Sequence, residues 1–255
     1  MIEPPPPAEG RSRATPRGAA RAGTVLVVQP DEFRVLMLRR QPNMRVLGGF
    51  WVFPGGTVDA GDRSHGTDQA ADPTADPAAG VLADAAVAAC RELHEEAGLT
   101  LLPSDLVHWA HWITPSAVPR RFDTHFFVAA APTGQEPRLA VAEASELRWV
   151  TQPEWRAAAT PGFPLTPPTL LVLRELAEAL SHHASLGALL QRSRDRKINA
   201  VLPKLIGGSV VLPWDPEYER LPGDGIAWDA ADIAARADWP SRLPTALGAV
   251  IGQVR

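Results

Sequence analysis

The chain has 255 residues, 45% of them hydrophobic, which is enough to bury one core of ordinary domain size with extensions around it. A formal net charge of −4 gives no overall electrostatic reason to bind along a nucleic-acid backbone, and no apolar run approaches the roughly 20 residues that span a bilayer. The single cysteine, Cys90, excludes an internal disulfide and a multi-cysteine zinc site, and a reducing, cytoplasmic setting fits that usage.

Residues 1–22 are rich in Pro, Arg, Ala and Gly and lack an apolar block, which predicts a disordered tail. Their arginines (Arg11, Arg13, Arg17, Arg21) and few acids leave an organelle-targeting segment as the alternative. Thr24–Val28 and Arg34–Arg39 flank the turn-like Gln29-Pro30-Asp31 and predict a hairpin. Phe50-Trp51-Val52-Phe53 predicts a short strand running into a turn at Pro54-Gly55-Gly56. Residues 63–80 are polar and rich in Asp, Ala, Pro and Gly, as expected of a surface excursion. From Val81 to Ala97 the apolar residues Leu82, Ala86, Ala89, Leu93 and Ala97 recur at helical spacing, and Gly98 is placed to end the helix.

Leu106–Ile113, Phe126–Ala130 and Leu147–Val150 predict strands, giving an α/β (α+β) chain with a mixed sheet around one well-marked helix. Pro167–Leu180 predicts an amphipathic helix, two short apolar runs follow at Ala200–Ile206 and Ser209–Leu212, and the last ~30 residues show no periodicity. The expected organisation is a tail (1–22), a domain at 23–160 with an insertion at 63–80, and a mainly helical extension at 161–255 packed upon it.

The stretch with chemistry in it is Arg91-Glu92-Leu93-His94-Glu95-Glu96-Ala97-Gly98-Leu99. At about 100° per residue, Glu92, Glu95 and Glu96 fall within an arc of roughly 100°, so three carboxylates share one helix face. Leu93, Ala89 and Ala86 occupy the neighbouring arc and would anchor the helix on the sheet. Crowded hard oxygen donors call for cations, Mg²⁺ or Mn²⁺ in preference to zinc. Arg91, one turn before Glu95, can pair with it and orient it. A lone Glu-Glu pair on a helix is more often a solvated face than a site.

The nine residues, however, match the second half of the Nudix box, Arg-Glu-apolar-x-Glu-Glu-x-Gly-apolar, and Gly56 to Asp62 supplies the first half with Asp in place of the usual Glu. The chain therefore resembles the Nudix hydrolases. The family pattern has seven residues between the first acid and the arginine, whereas 28 (63–90) stand here, and an insertion between loop and helix can bulge outward without disturbing either. An enlarged box of this kind, with Val52-Phe53-Pro54-Gly55-Gly56-Thr57-Val58-Asp59 before it and Pro119-Arg120-Arg121-Phe122-Asp123-Thr124-His125-Phe126-Phe127 after it, resembles the peroxisomal acyl-coenzyme A diphosphatases of animals. The coenzyme A signature that some Nudix diphosphatases carry upstream is not evident in the basic and apolar stretch from Leu38-Arg39-Arg40 to Phe50.

The resemblance implies a Nudix fold, a mixed sheet sandwiched between helices, and metal-dependent cleavage of a phosphoanhydride bond in a nucleoside-diphosphate derivative. It implies Glu92, Glu95, Glu96 and the Gly55 carbonyl as ligands of Mg²⁺ or Mn²⁺, with Glu95, Glu96 and Arg91 as catalytic groups. Glu143, ahead of the last strand of the sheet, is the candidate general base and Glu146 its competitor. Arg120, Arg121 and Arg39 are candidates for holding substrate phosphates, the alternative for the first two being a solubilising surface pair. Asp123 would pair with one of those arginines, His94 would face solvent, and Cys90 would be core. Trp109, Trp112 and Phe122 could stack on a base or pack in the core. Coenzyme A or an acyl-coenzyme A is the expected substrate. The alternatives are a dinucleotide cofactor, nucleotide sugar or oxidised nucleoside triphosphate, or a silent Nudix module that senses a nucleotide. No nucleic acid or membrane partner is expected, and oligomeric state stays open.

Overall fold

The computed structural model describes residues 18–63, 77–156 and 163–244. Strand β1 (Ala19–Gln29) lies inside the main sheet, and Val25–Val28 are all buried because both faces of the sheet are covered. It meets β2 (Arg34–Arg40) as the expected hairpin, paired at Val28↔Val35 and Gln29↔Arg34. Two further short strands follow, β3 (Trp51–Val52) and β4 (Gly55–Thr57), the latter antiparallel to β1. Helix α1 (Pro77–Ala97) precedes β5 (Val107–Ile113), β6 (Arg121–Ala130), β7 (Ala144–Val150) and the short α2 (Gln152–Arg156).

The extension adds α3 (Pro167–Ser181), α4 (Leu186–Ser193) and β8 (Ala200–Val201). It ends with β9 (Lys204–Ile206), β10 (Ser209–Val211), α5 (Ala230–Ala234) and β11 (Arg242–Pro244). The main sheet runs β3-β2-β1-β6-β5-β8, with β4 on β1 and β7 on β2, while β11-β10-β9 form a second sheet.

Two apolar cores sandwich the main sheet. On one face Val25, Val27, Leu36 and Phe127 pack against Ala85, Ala89 and Leu93 of α1. On the other, Leu26, Val28, Met37 and Trp109 pack against Leu173 and Leu176 of α3 and Leu189 of α4. The Val, Leu, Met and Phe side chains buried this fully contribute about 1.5–3 kcal/mol each. The mixed α/β fold, a sheet between helices, is the one expected. Gly23 sets how deeply α1 sits, since a Cβ there would stand 1.8 Å from the Ala85 carbonyl oxygen.

Three boundaries depart from expectation, those of β1 and β6 because the two strands pair with each other. β1 starts at Ala19, inside the span read as tail, because β6 pairs alongside it in parallel from Ala19↔Arg121 to Val28↔Ala130. β6 itself starts at Arg121, five residues ahead of the expected strand. Helix α1 starts at Pro77, so the last residues of the expected excursion are helical, while 64–76 lie outside the described residues, as do 1–17. The extension is not only helical: it contributes β8 to the main sheet and the whole of the second sheet. Its entry is pinned where Phe163 stacks on Trp51, 4.7 Å between centroids, and Thr166 caps α3 by accepting from the Thr169 N–H.

Candidate active site

Arg91 fastens the two halves of the box together. Its Nε and Nη2 donate to the two carboxylate oxygens of Asp62, both at 2.8 Å, and Nη2 also donates to the Thr57 carbonyl at 3.1 Å. Its Nη1 reaches Glu92 Oε1 at 3.0 Å and Glu95 Oε2 at 3.1 Å. Asp62, 3% exposed, also accepts from the Asp59 N–H, and the Arg91 guanidinium holds its carboxyl below the usual range against the opposing effect of burial. This bidentate contact keeps loop and helix in register whatever the length of chain between them.

Glu92 and Glu96 behave in the opposite way. Burial pushes the Glu96 carboxyl up to about 7, opposed by the Gly55 N–H that donates to its Oε2 at 3.0 Å and reinforced by the nearby charge of Glu92. Burial also raises Glu92, with Arg91 pulling against it and Glu95 adding to it. Gly56 permits this approach, because a Cβ there would lie 2.1 Å from Glu92 Oε1. Carboxylates are thus drawn out of water toward one another, with an arginine already shared among Asp62, Glu92 and Glu95. Such a donor set is stabilised by added positive charge, and its hard oxygens fit a divalent cation of the Mg²⁺ or Mn²⁺ kind.

The three glutamates line a cavity of about 960 Å³ together with Gly55 and Gly56. Much of its remaining wall is apolar, including Val46, Leu47, Val118, Phe122 and Phe126. The extension closes it with Pro167, Pro168, Leu205 and Val210.

The structure sorts the other candidates. Glu143 lines the cavity, with its carboxylate 3.7 Å from Arg40, whereas Glu146 is absent from the lining and pairs with Arg148 at 3.1 Å. Arg39 does not line the cavity; Arg40 does, because successive side chains of a strand point to opposite faces. Of the arginine pair, Arg120 lines the cavity over the Phe122 ring, while Arg121 turns its Nε to the Thr114 carbonyl at 3.0 Å. Asp123 sits on the face of β6 opposite Phe122, with its carboxylate against His111.

Trp112 and Phe122 line the cavity and Trp109 is buried in the core. His94 is exposed, and Cys90 is half-buried with its thiol pushed up to about 11 by burial, unsuited to act as a nucleophile. Two groups went unread in the sequence. Arg40 had a signal, its place in the basic Arg39-Arg40 step. The other is the set His108, His111 and His125 beside Asp123, where burial drives His108 down to about 4 and depresses His125 as well.

No family model matches the sequence. A nudix hydrolase of Caenorhabditis elegans is 25% identical over 193 residues, 62% of this chain and 60% of that protein. The chain thus spans about 60% of the length of the curated relative it matches. The crystal structure of a Nudix hydrolase from Alicyclobacillus acidocaldarius matches with a TM-score of 0.51 at 25% identity, covering 65% of this chain and 96% of that one. The box, the sheet between helices and these likenesses make the chain similar to the Nudix hydrolases. Among the described residues no helix is long and apolar enough to cross a membrane.

Proposed function

We propose that the chain is a divalent-metal-dependent diphosphatase that cleaves the phosphoanhydride bond of coenzyme A or an acyl-coenzyme A. The observation that carries the diphosphatase reading is the convergence of Glu92, Glu95 and Glu96 with Gly55 and Gly56 at the wall of a cavity large enough for a nucleotide. Glu92, Glu95 and Glu96, with the Gly55 carbonyl, would hold the cation, which when bound supplies positive charge to a diphosphate and to the oxygen that leaves. Arg91 orients the glutamates through its contacts with Glu92 and Glu95. Glu143, beside Arg40 at the cavity wall, would accept a proton from an attacking water. Arg120, on the same wall, is the candidate for a phosphate outside the diphosphate.

Support for coenzyme A comes from the apolar wall of the cavity, which suits a long pantetheine or acyl arm better than a second nucleotide. The test is turnover with Mg²⁺ and Mn²⁺ across coenzyme A, an acyl-coenzyme A, ADP-ribose, a dinucleotide cofactor and a nucleotide sugar. Release of adenosine 3′,5′-bisphosphate from the coenzyme A substrates, with the highest kcat/KM of the panel, is the expected result. A higher kcat/KM for any other member reassigns the substrate, and metal-independent or absent turnover on all of them removes the diphosphatase reading in favour of a nucleotide sensor.

A further inference from the structure

Among the described residues, one group of mixed metal-ligating side chains stands outside the box: His111 on β5 with Asp123 and His125 on β6. Their ligand atoms all lie within 4.8 Å of one another. Phe122, Thr124 and Phe126 of β6 line the large cavity, so Asp123 and His125, which alternate with them, project from the other face of the sheet. The group is therefore behind the cavity wall. It is also remote from the box along α1: His125 is level with Gly23, which lies beneath Ala85, roughly 10 Å of helix before Glu92.

The chemistry of the group favours an ion. Asp123 and His125 are buried, where the low local dielectric strengthens their attraction for a cation. His125 already has Nδ1 3.1 Å from His108 Nε2, the kind of outer contact that commonly fixes the ring of a metal-binding histidine and leaves its second nitrogen to ligate. His111 Nε2 faces the Asp123 carboxylate, and the rings of His111 and His125 stack 4.1 Å apart. Tetrahedral ligands at about 2.0 Å from an ion stand about 3.3 Å apart. Ligand atoms that all lie within 4.8 Å of one another are close to that spacing. His111 keeps 20% of its side chain exposed and so offers a way in.

We propose that His111, Asp123 and His125 form a second metal site, separate from the glutamate box, that takes Zn²⁺ and clips β5 to β6. Two imidazoles and one carboxylate are a borderline donor set suited to zinc and distinct from the all-oxygen box, with a fourth position open to water.

The test uses the full chain with Glu92→Gln, Glu95→Gln and Glu96→Gln together, so that the box no longer competes, and reads metal content after equilibrium dialysis against Zn²⁺. The expected result is one bound zinc per chain and a higher unfolding temperature with zinc than without. His111→Gln and, separately, Asp123→Asn should each weaken zinc binding by at least about 100-fold, with the fold checked by circular dichroism. Co²⁺ added to the same box-less chain should give the intense visible bands of a four-coordinate site, a readout that stands even if both further variants fail to fold. Absence of bound zinc and of those bands, or zinc binding indifferent to His111→Gln and Asp123→Asn, overturns the proposal and leaves a hydrogen-bonded cluster. None of these readouts is turnover, so failure of the diphosphatase reading would leave this result untouched.

Discussion

Two acidic clusters in this molecule have the same kinds of residue and opposite electrostatics. In the extension, Asp215 accepts two bonds from Arg242, at 2.8 and 3.0 Å, another from the Ser241 hydroxyl and one from the Glu217 N–H. The Arg242 contacts hold its carboxyl down at about 2 although it is buried. In the box, Glu92 and Glu96 are drawn from water with too little positive charge around them, and both rise. The lesson is that burial of an acid does not by itself mark a site; the balance between carboxylates and donors does. Asp62 repeats the contrast within the box, since it is stapled by Arg91 while its neighbours on α1 are left short of charge.

The largest expected break in that contrast is Glu96→Gln, which should lower metal-dependent turnover about 10³-fold while circular dichroism stays that of the wild type. Near-wild-type turnover would dismiss α1 as the catalytic helix. Asp215→Asn should do the reverse, costing about 1–3 kcal/mol of stability at neutral pH with kcat unchanged, as read by denaturant unfolding and steady-state kinetics. Loss of turnover without loss of stability would show that the extension acts on chemistry.

The pH dependences should also have opposite signs. A depressed acid stabilises the fold above its unfolded value near 3.8 and loses that contribution as pH falls toward about 2, so Asp215→Asn should flatten the acid side of the unfolding curve. A raised acid does the opposite. In the presence of chelator, Glu96 should cost progressively more stability as pH climbs from its unfolded 4.5 through about 7, and Glu96→Gln should remove that slope. An unchanged slope would mean that Glu96 is not short of charge.

The smallest effect expected separates two adjacent cations. Arg120→Ala should raise KM for coenzyme A about tenfold more than for its analogue lacking the 3′-phosphate, while Arg121→Ala, whose Nε is held by Thr114, should discriminate less. Equal shifts for both substrates in the Arg120 variant would assign that side chain to the diphosphate or to structure.

What the sequence disclosed was local. The box lies in nine consecutive residues, α1 follows from apolar spacing within one helix, and the Gly98 N–H bonds the His94 carbonyl at the helix end as its position suggested. What it hid depended on partners far along the chain. The first residues of β1 are extended because β6, about a hundred residues later, pairs with them, and composition at Ala19-Ala20-Arg21-Ala22 carries no trace of that. The choice of Arg40 over Arg39 rests on which face of β2 meets the cavity, which the tertiary packing decides. The cavity wall of Pro167, Leu205 and Val210 is assembled from segments whose periodicity says only that they are apolar. Asp123 and His125 share a strand face by spacing alone, but their meeting with His111 needed the β5–β6 register.

That register has a consequence for how the chain can change over generations. Every residue of β6 from Phe122 to Phe126 is committed to one side, Phe122, Thr124 and Phe126 to the cavity and Asp123 and His125 to the reverse. Deleting one residue within the strand would exchange the two sets, placing a carboxylate and an imidazole in the apolar wall and two phenylalanines behind it. Substitutions in β6 can therefore accumulate one position at a time, but changes of length must be absorbed by residues 114–120, the connection between β5 and β6. Homologous chains should differ in length there and keep the strand's count intact.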